Sequence, residues 1–224
     1  VPDDSPRAIF VSDFDGTFTR NDFYRLILDR HGATTRFWKQ YRKGEISHFE
    51  ALAATFHAAP LGEPALRDLI HHMDPDPRAA NEVHRLQQQG WEIIIASAGC
   101  SWYIEPILRD SGLAELRVHA NPGFLKGERL IMEPALDSPF YGLDAGIDKA
   151  AIVKDAQARA PIVAFAGDGI SDVPPALLVP PRLRFARDTL AAELKRRSEP
   201  FIQFERWSEV TSFLIDLDLT HESA

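Results

Sequence analysis

The sequence predicts an α/β protein: a doubly wound, mostly parallel sheet with a helical segment inserted after its first strand. Three observations carry this expectation. Short continuous apolar runs recur along the chain, three of them end in polar tails, and from residue 79 onward they alternate with helical stretches. That is the pattern of strands buried on both faces and joined by crossover helices. Between about residues 20 and 74 the strand pattern gives way to helical periodicity. The 224 residues, 45% hydrophobic and 26% charged, are enough for one full core plus an insertion.

The first strand is Ala8-Ile9-Phe10-Val11, leading into Ser12-Asp13-Phe14-Asp15-Gly16-Thr17. Side chains alternate along an extended strand, so Asp13 and Asp15 share a face while Phe14 points into the packing. Gly16 lets the chain turn sharply and Thr17 adds a hydroxyl and an exposed amide. Asp-Gly alone is an ordinary turn. A fixed Asp-x-Asp-Gly-Thr arises by chance in a chain this long on the order of once in a thousand sequences.

Three apolar stripes follow: Phe23, Leu26 and Ile27; then Ile46, Phe49, Leu52, Ala53 and Phe56; then Leu66, Leu69, Ile70 and Met73. Asn21 or Asp22 caps the first helix and Ser47 starts another. We therefore expect a helical cap domain at 20–74, and a catalytic core made of 1–19 and 75–224. Pro75 and Pro77 close the helical block, and a helix over 79–89 ends at Gly90. Trp91 to Ala96 is a buried strand ending in Ser97-Ala98-Gly99, with a helix from Trp102 to Ser111 behind it. Arg117 to Ala120 is a third strand. Gly123 to Lys126 and Arg129 to Glu133 form a hairpin. A helix spans Ile147 to Ala160, and Pro161 to Ala166 is a fourth buried strand ending in Gly167-Asp168-Gly169-Ile170-Ser171-Asp172. Weaker strands at Leu183 to Ala186 and Phe201 to Phe204 are each followed by a helix.

The formal net charge of -8 argues against a general nucleic-acid or anionic-membrane binder. No apolar run reaches the roughly 20 residues that span a bilayer. Cys100 is the only cysteine, which excludes an internal disulfide and a cysteine-rich metal site. Val1 to Pro6 is polar and lacks a signal-peptide pattern, so a cytoplasmic protein is expected.

Ligands of open parallel sheets bind beyond the carboxyl ends of the strands. Asp13 to Thr17, Ser97 to Gly99 and Gly167 to Asp172 are three such strand ends, and Lys149 lies in the first turn of a helix, where free amides favour an anion. In this order and spacing the four pieces resemble the haloacid dehalogenase superfamily, and the helical insertion after the first resembles its phosphoserine phosphatase-like subgroup. The run with Ser-Ala-Gly and Gly-Asp-Gly-x-Ser-Asp is also similar, more weakly, to methionine-salvage phosphatases acting on a methylthio ketopentene phosphate.

Phosphoryl transfer needs an in-line nucleophile, charge neutralisation and a proton for the leaving oxygen. Asp13 suits the nucleophile, forming an aspartyl phosphate. Asp15 suits the acid that protonates the leaving alkoxide and then activates water, provided that burial and Asp13 raise its pKa. Superfamily members that cleave carbon to halogen bonds lack this second acid. The resemblance implies Mg2+ held by the side chains of Asp13 and Asp168 and the carbonyl of Asp15, with Asp172 either a ligand through water or an acceptor behind the ligands. Ser97 and the amide of Ala98 would bind phosphate, with Gly99 leaving room. Lys149 would neutralise nucleophile and phosphoryl.

Specificity is expected in the cap. Asp22 matches the acid with which phosphoserine phosphatases read an ammonium group, and it equally suits a helix N-cap. The arginine those enzymes use for the substrate carboxylate is missing from Leu52-Ala53-Ala54-Thr55-Phe56, with Arg42 and Arg36 as substitutes read chiefly as solvated surface. Phe37, Trp38, Tyr41, Trp102, Tyr103, Phe140 and Tyr141 read mainly as packing. Any that line a pocket favour an apolar tail or a quaternary ammonium group. The eight histidines read as core or surface, and Cys100 as a small buried hydrophobe. The expected function is a magnesium-dependent phosphomonoesterase acting on a small metabolite. The alternatives are phosphoserine phosphatase itself, a receiver-like domain, and an inactive phosphate-binding module.

Overall fold

The computed structural model describes residues 6–217 and residue 219, so residues 1–5 of the polar start lie outside the described residues. Strand β1 (Ala8–Ser12) is followed by a tight turn and then by helices α1 (Phe23–His31), α2 (Arg36–Arg42), α3 (His48–Ala58), α4 (Gly62–His71) and α5 (Ala79–Gln88). Next come β2 (Trp91–Cys100), α6 (Ser101–Asp110), β3 (Arg117–Asn121) and two small hairpins, β4 (Gly123–Lys126) with β5 (Arg129–Met132) and β6 (Tyr141–Gly142) with β7 (Gly146–Ile147). The chain continues through α7 (Lys149–Arg159), β8 (Ile162–Gly167), α8 (Val173–Leu178), β9 (Arg184–Ala186), α9 (Asp188–Arg196), β10 (Ile202–Gln203) and α10 (Trp207–Ile215).

Six of these strands make one parallel sheet in the order β10-β9-β8-β1-β2-β3. All five residues of β1 are buried, because it pairs on both edges and is covered on both faces. On one face Phe10, Phe14 and Phe18 pack with Trp207 and with the apolar stripes of the inserted helices. On the other, Ile9, Val11 and Phe165 meet Ile152, Val153, Leu190 and Leu194. The chain builds outward from β1 to β3, then returns to lay β8 against the free edge of β1. The order therefore reverses between β1 and β8, where a crevice opens above the strand ends.

Helix starts follow local chemistry. Asp22 accepts from the Tyr24 amide at 3.1 Å, and Ser47 with Glu50 forms a reciprocal capping box at α3. Helix α2 and the β6–β7 hairpin were not anticipated, and three further elements differ from expectation. Strand β2 runs on through Ser97 to Cys100, held extended where Asn121 Nδ2 donates to the Ala98 carbonyl at 2.9 Å. Helix α7 begins at Lys149 because Ile147 is paired in β7 and Asp148 caps the helix, accepting from Ala151 N at 3.0 Å. Helix α8 carries prolines in its first turn, where their missing amides cost nothing, so it gave no periodic signal.

Both connections to the inserted helices run side by side. Thr19 bridges Pro75, Arg20 N donates to Asp74 O at 3.0 Å, and Asn21 N donates to Met73 O at 3.2 Å. The two hairpins reach the same helices from the other side. Asp144 accepts from the amides of Phe49 and His48, and Glu128 O accepts from Gly62 N. Among the described residues, no helix is long and apolar enough to cross a membrane.

Asp76, just past this crossing, joins α5 to α10: its Oδ1 accepts from Arg78 N at 3.0 Å and its Oδ2 from Ser208 N at 2.9 Å. Burial acts to raise this carboxyl, but the hydrogen bonds from Ser208 and Arg78 outweigh it and hold the pKa below its ordinary value. We predict that Asp76→Ala lowers the unfolding free energy by about 1–3 kcal/mol. Since a depressed carboxylate stabilises only while ionised, the difference between variant and wild type should shrink below roughly pH 4 in denaturant titrations.

Candidate active site

The sheet places the strand tails, and the tails place the acids. Asp13 is still tied into the sheet, its amide donating to Ala166 O at 3.0 Å. The turn behind it needs Gly16, whose φ of 71° is left-handed and whose α-carbon faces Asp168 so closely that a Cβ would strike that carboxylate. Lys149 reaches in from the start of α7, its Nζ 2.5 Å from Asp13 Oδ1 and 2.6 Å from Asp172 Oδ1. Asp172 spends its other oxygen on the β8 tail, accepting from Asp168 N at 3.1 Å and Gly169 N at 2.9 Å. Thr17 Oγ1 donates to Asp13 Oδ2 at 3.2 Å.

Asp15 is engaged elsewhere. Its Oδ1 accepts from Phe23 N at 3.0 Å, and its Oδ2 accepts from the Tyr103 hydroxyl at 2.7 Å and from Ser97 Oγ at 3.4 Å. Ser97 Oγ in turn accepts from Gly99 N at 2.9 Å, and a Cβ on Gly99 would run into the Tyr103 hydroxyl. Each of the nine residues predicted for the site, Asp13, Asp15, Asp22, Ser97, Ala98, Gly99, Lys149, Asp168 and Asp172, lines one cavity of about 610 Å³.

The electrostatics are those of buried acids in excess of their cation. Burial, and then the charge of Asp172, pushes Asp13 up to about 7 against the pull of Lys149. Burial and the neighbouring Asp13 and Asp172 hold Asp168 well above the ordinary carboxylate range. Burial also raises Asp15, opposed by the Phe23 amide and the Tyr103 hydroxyl. Lys149 stays a cation: burial opposes its charge, but Asp13 and Asp172 outweigh that and raise its pKa. Asp13, Asp168 and Asp172 each offer a carboxylate oxygen within 4.8 Å of the others. An all-oxygen, anionic set of this kind fits a hard divalent cation such as Mg2+.

Several residues stand where sequence reasoning did not put them. His48 was read as packing; it lines the cavity, as do Trp38 and Tyr41 of α2 and Tyr103 of α6. Arg42, read chiefly as solvated surface, is also on the cavity wall with Arg25, whereas Arg36 lies against Phe37. Asp22 caps α1 and also lines the cavity. The signal for Tyr103 was available, since one turn into the helix after Ser97-Ala98-Gly99 points back at the residue without a Cβ. Cys100 is buried, and burial pushes its thiol up to about 12, which leaves it unreactive.

The family model described as haloacid dehalogenase-like hydrolase matches residues 10–176. This chain belongs to the haloacid dehalogenase-like hydrolase family. Within the family it is similar to a 2-hydroxy-3-keto-5-methylthiopentenyl-1-phosphate phosphatase of Brevibacillus brevis, 25% identical over 94% of this chain and 96% of that protein. It is 23% identical over 93% of its length to the bifunctional enzyme MtnB/MtnX of Bacillus licheniformis, of which it spans 49%. Among solved structures, a phospho-aspartyl intermediate analogue of phosphoserine phosphatase superposes with a TM-score of 0.65 at 18% identity, covering 93% of this chain and 99% of that one. A haloacid dehalogenase family hydrolase of Salmonella enterica reaches 0.69 at 17% identity, covering 95% and 72%. These structural likenesses share the fold.

The excess of buried acid has a measurable consequence. An acid whose pKa is raised by folding keeps a proton that the unfolded chain gives up, so stability falls as pH rises between the two values. We predict that in chelator the thermal midpoint falls between the ordinary 3.8 and about 7 of Asp13, and that millimolar magnesium raises it at pH 7 far more than at pH 5. A magnesium shift of equal size at both pH values would contradict a carboxylate site.

Proposed function

We propose that this protein is a magnesium-dependent phosphomonoesterase that hydrolyses a small phosphorylated metabolite through an aspartyl phosphate on Asp13. The observation that carries the reading is the pairing of two buried acids with different partners at one strand end. Asp13 is held against the Lys149 ammonium, and Asp15 is held by Tyr103 and the Phe23 amide.

In this reading a carboxylate oxygen of Asp13 attacks phosphorus as the ester oxygen leaves, and Asp15 gives that oxygen its proton. Asp15, now ionised, takes a proton from water, whose oxygen attacks phosphorus and releases Asp13. Burial favours the protonated form of Asp15 that the first step uses. Lys149 holds Asp13 in position and balances charge on the phosphoryl, while Ser97 and the amide of Ala98 receive its oxygens and Gly99 leaves room for them. Asp13, Asp168 and Asp172, with the Asp15 carbonyl, would hold the cation. When bound it neutralises phosphoryl charge and orients the group.

In this reading residues 20–74 act as the cap, over a core drawn from the described residues before 20 and after 74. For the substrate, the relative from Brevibacillus brevis and the aromatic residues of the cavity wall favour a methylthio ketopentene phosphate or an amino-alcohol phosphate. Phosphoserine is a second reading, favoured by Asp22 with Arg25 and Arg42 on the same wall, which could take an ammonium and a carboxylate. The acidic chain and a cavity of about 610 Å³ favour a small metabolite in the cytoplasm over nucleic acid or membrane.

Phosphate release from phosphoserine, phosphoethanolamine, phosphocholine, sugar phosphates and a methylthio ketopentene phosphate, with and without magnesium, tests this reading. Asp13→Asn should abolish turnover, and Asp15→Asn should lower kcat by about 10²–10⁴. Full activity in Asp13→Asn, or indifference to metal removal, would sink the mechanism.

A further inference from the structure

Asp15 is gripped at both oxygens, and the two grips differ in kind. Its Oδ1 accepts from the Phe23 amide at 3.0 Å, a group that only donates. Its Oδ2 lies 2.7 Å from the Tyr103 hydroxyl and 3.4 Å from Ser97 Oγ, and a hydroxyl both donates and accepts. An oxygen that faces a backbone N–H finds no acceptor there for a proton of its own. When Asp15 is protonated the proton therefore belongs on Oδ2, on the side of Ser97.

The Tyr103 hydroxyl is held in place by its surroundings. The ring is buried and stacks on Phe23 at 4.2 Å with the planes 13° apart, so one aromatic pair supplies a donor to each oxygen of Asp15. Phe56 of α3 meets the ring edge-on at 6.3 Å, and Phe14 lies 6.4 Å away between centroids. Gly99 makes the reach possible: a Cβ there would strike the Tyr103 hydroxyl and stand 2.9 Å from Asp15 Oδ2. The Gly99 amide itself is spent on Ser97 Oγ at 2.9 Å. A phenol suits an acid that must also act as a base. Its oxygen accepts from Oδ2 while the carboxyl carries a proton, and its hydroxyl donates to Oδ2 once that proton has gone.

We infer that Tyr103 is a positioning residue for both proton transfers of the reaction, its hydroxyl keeping Asp15 Oδ2 aimed at the reacting oxygens, and that position 99 is glycine so that this hydroxyl reaches Asp15. This rests on the phosphomonoesterase reading. In the first step the bond from phosphorus to the ester oxygen breaks, the bond to Asp13 forms, and the proton of Oδ2 goes to the leaving oxygen. In the second, water forms the new bond to phosphorus, the bond to Asp13 breaks, and Oδ2 takes the proton of the water. Tyr103 exchanges no proton with substrate and remains a phenol throughout.

Two esters with different needs for a proton test it. Nitrophenolate leaves 4-nitrophenyl phosphate as a stable anion, whereas the alkoxide of 4-nitrobenzyl phosphate needs protonation. Tyr103→Phe keeps the ring in its stack and removes the hydroxyl. It should lower kcat/KM for the nitrobenzyl ester by about tenfold or more, and for the nitrophenyl ester by less than about threefold. With the nitrophenyl ester kcat and KM should fall together, because water attack on the aspartyl phosphate also loses its aim, and stopped flow should show a burst of nitrophenolate. Gly99→Ala displaces the same hydroxyl with Tyr103 intact. It should shift the ratio of the two esters in the same direction, and it decides the matter if the phenylalanine variant does not fold. An equal loss on both esters in Tyr103→Phe, as a merely structural role gives, or no loss on either, would overturn the inference. So would a Gly99→Ala protein that slows both esters alike. Wild type that releases phosphate from no ester at all would instead overturn the phosphomonoesterase reading, and this inference with it.

Discussion

Everything around the strand ends depends on one buried cation shared by two carboxylates. Lys149 holds Asp13 with one hydrogen bond and Asp172 with another, and Asp172 gathers the β8 tail through the amides of Asp168 and Gly169. Because α7 starts at Lys149, the helix, the first strand and the fourth-motif tail are registered against each other through a single ammonium group. A buried pair of this kind contributes little net stability, since both charges lose water, but removing one partner strands the other. Its worth here is geometric: it decides where the Asp13 oxygens face.

The cavity has two halves with opposite character. Its floor is polar and densely bonded, with nearly every oxygen of Asp13, Asp15 and Asp172 already assigned to a donor. Another part of its wall is aromatic, where Tyr24, Trp38, Tyr41 and His48 touch one another and Tyr24 and Trp38 also pack against the core. The floor supports a reaction that tolerates no variation in geometry. The wall offers shape and a few polar atoms, which is how a site distinguishes one small molecule from another.

Legibility in the sequence followed the same division. The parallel sheet and the strand-end acids were readable because each strand of the centre is a short apolar run, and because the carboxylates sit at fixed offsets from those runs. Asp13 and Asp168 converge through the pairing of β1 with β8, and Lys149 meets Asp13 from the first turn of α7. Tyr103, His48 and Arg42 were not readable in that way. Each lies on a helix whose rotation and tilt are set by packing between elements distant in sequence, and an aromatic at helical spacing carries the same local pattern whether it faces core or cavity. Helix boundaries moved where a neighbour competed for the backbone, as β7 did for Ile147. The apolar stripes of the insertion predicted its buried residues well, because burial on one face is the property that periodicity records.

The paired connections at Thr19 and Pro75 bear on how such a protein changes over generations. A segment that leaves and re-enters a fold at adjacent points can be lengthened, shortened or replaced without rethreading the sheet beneath it. The strand-end acids and the rings on α1, α2 and α3 thus come from opposite sides of that crossing. One sequence can keep its chemistry to the residue while its molecular preference drifts, with that doubled crossing as the seam between them.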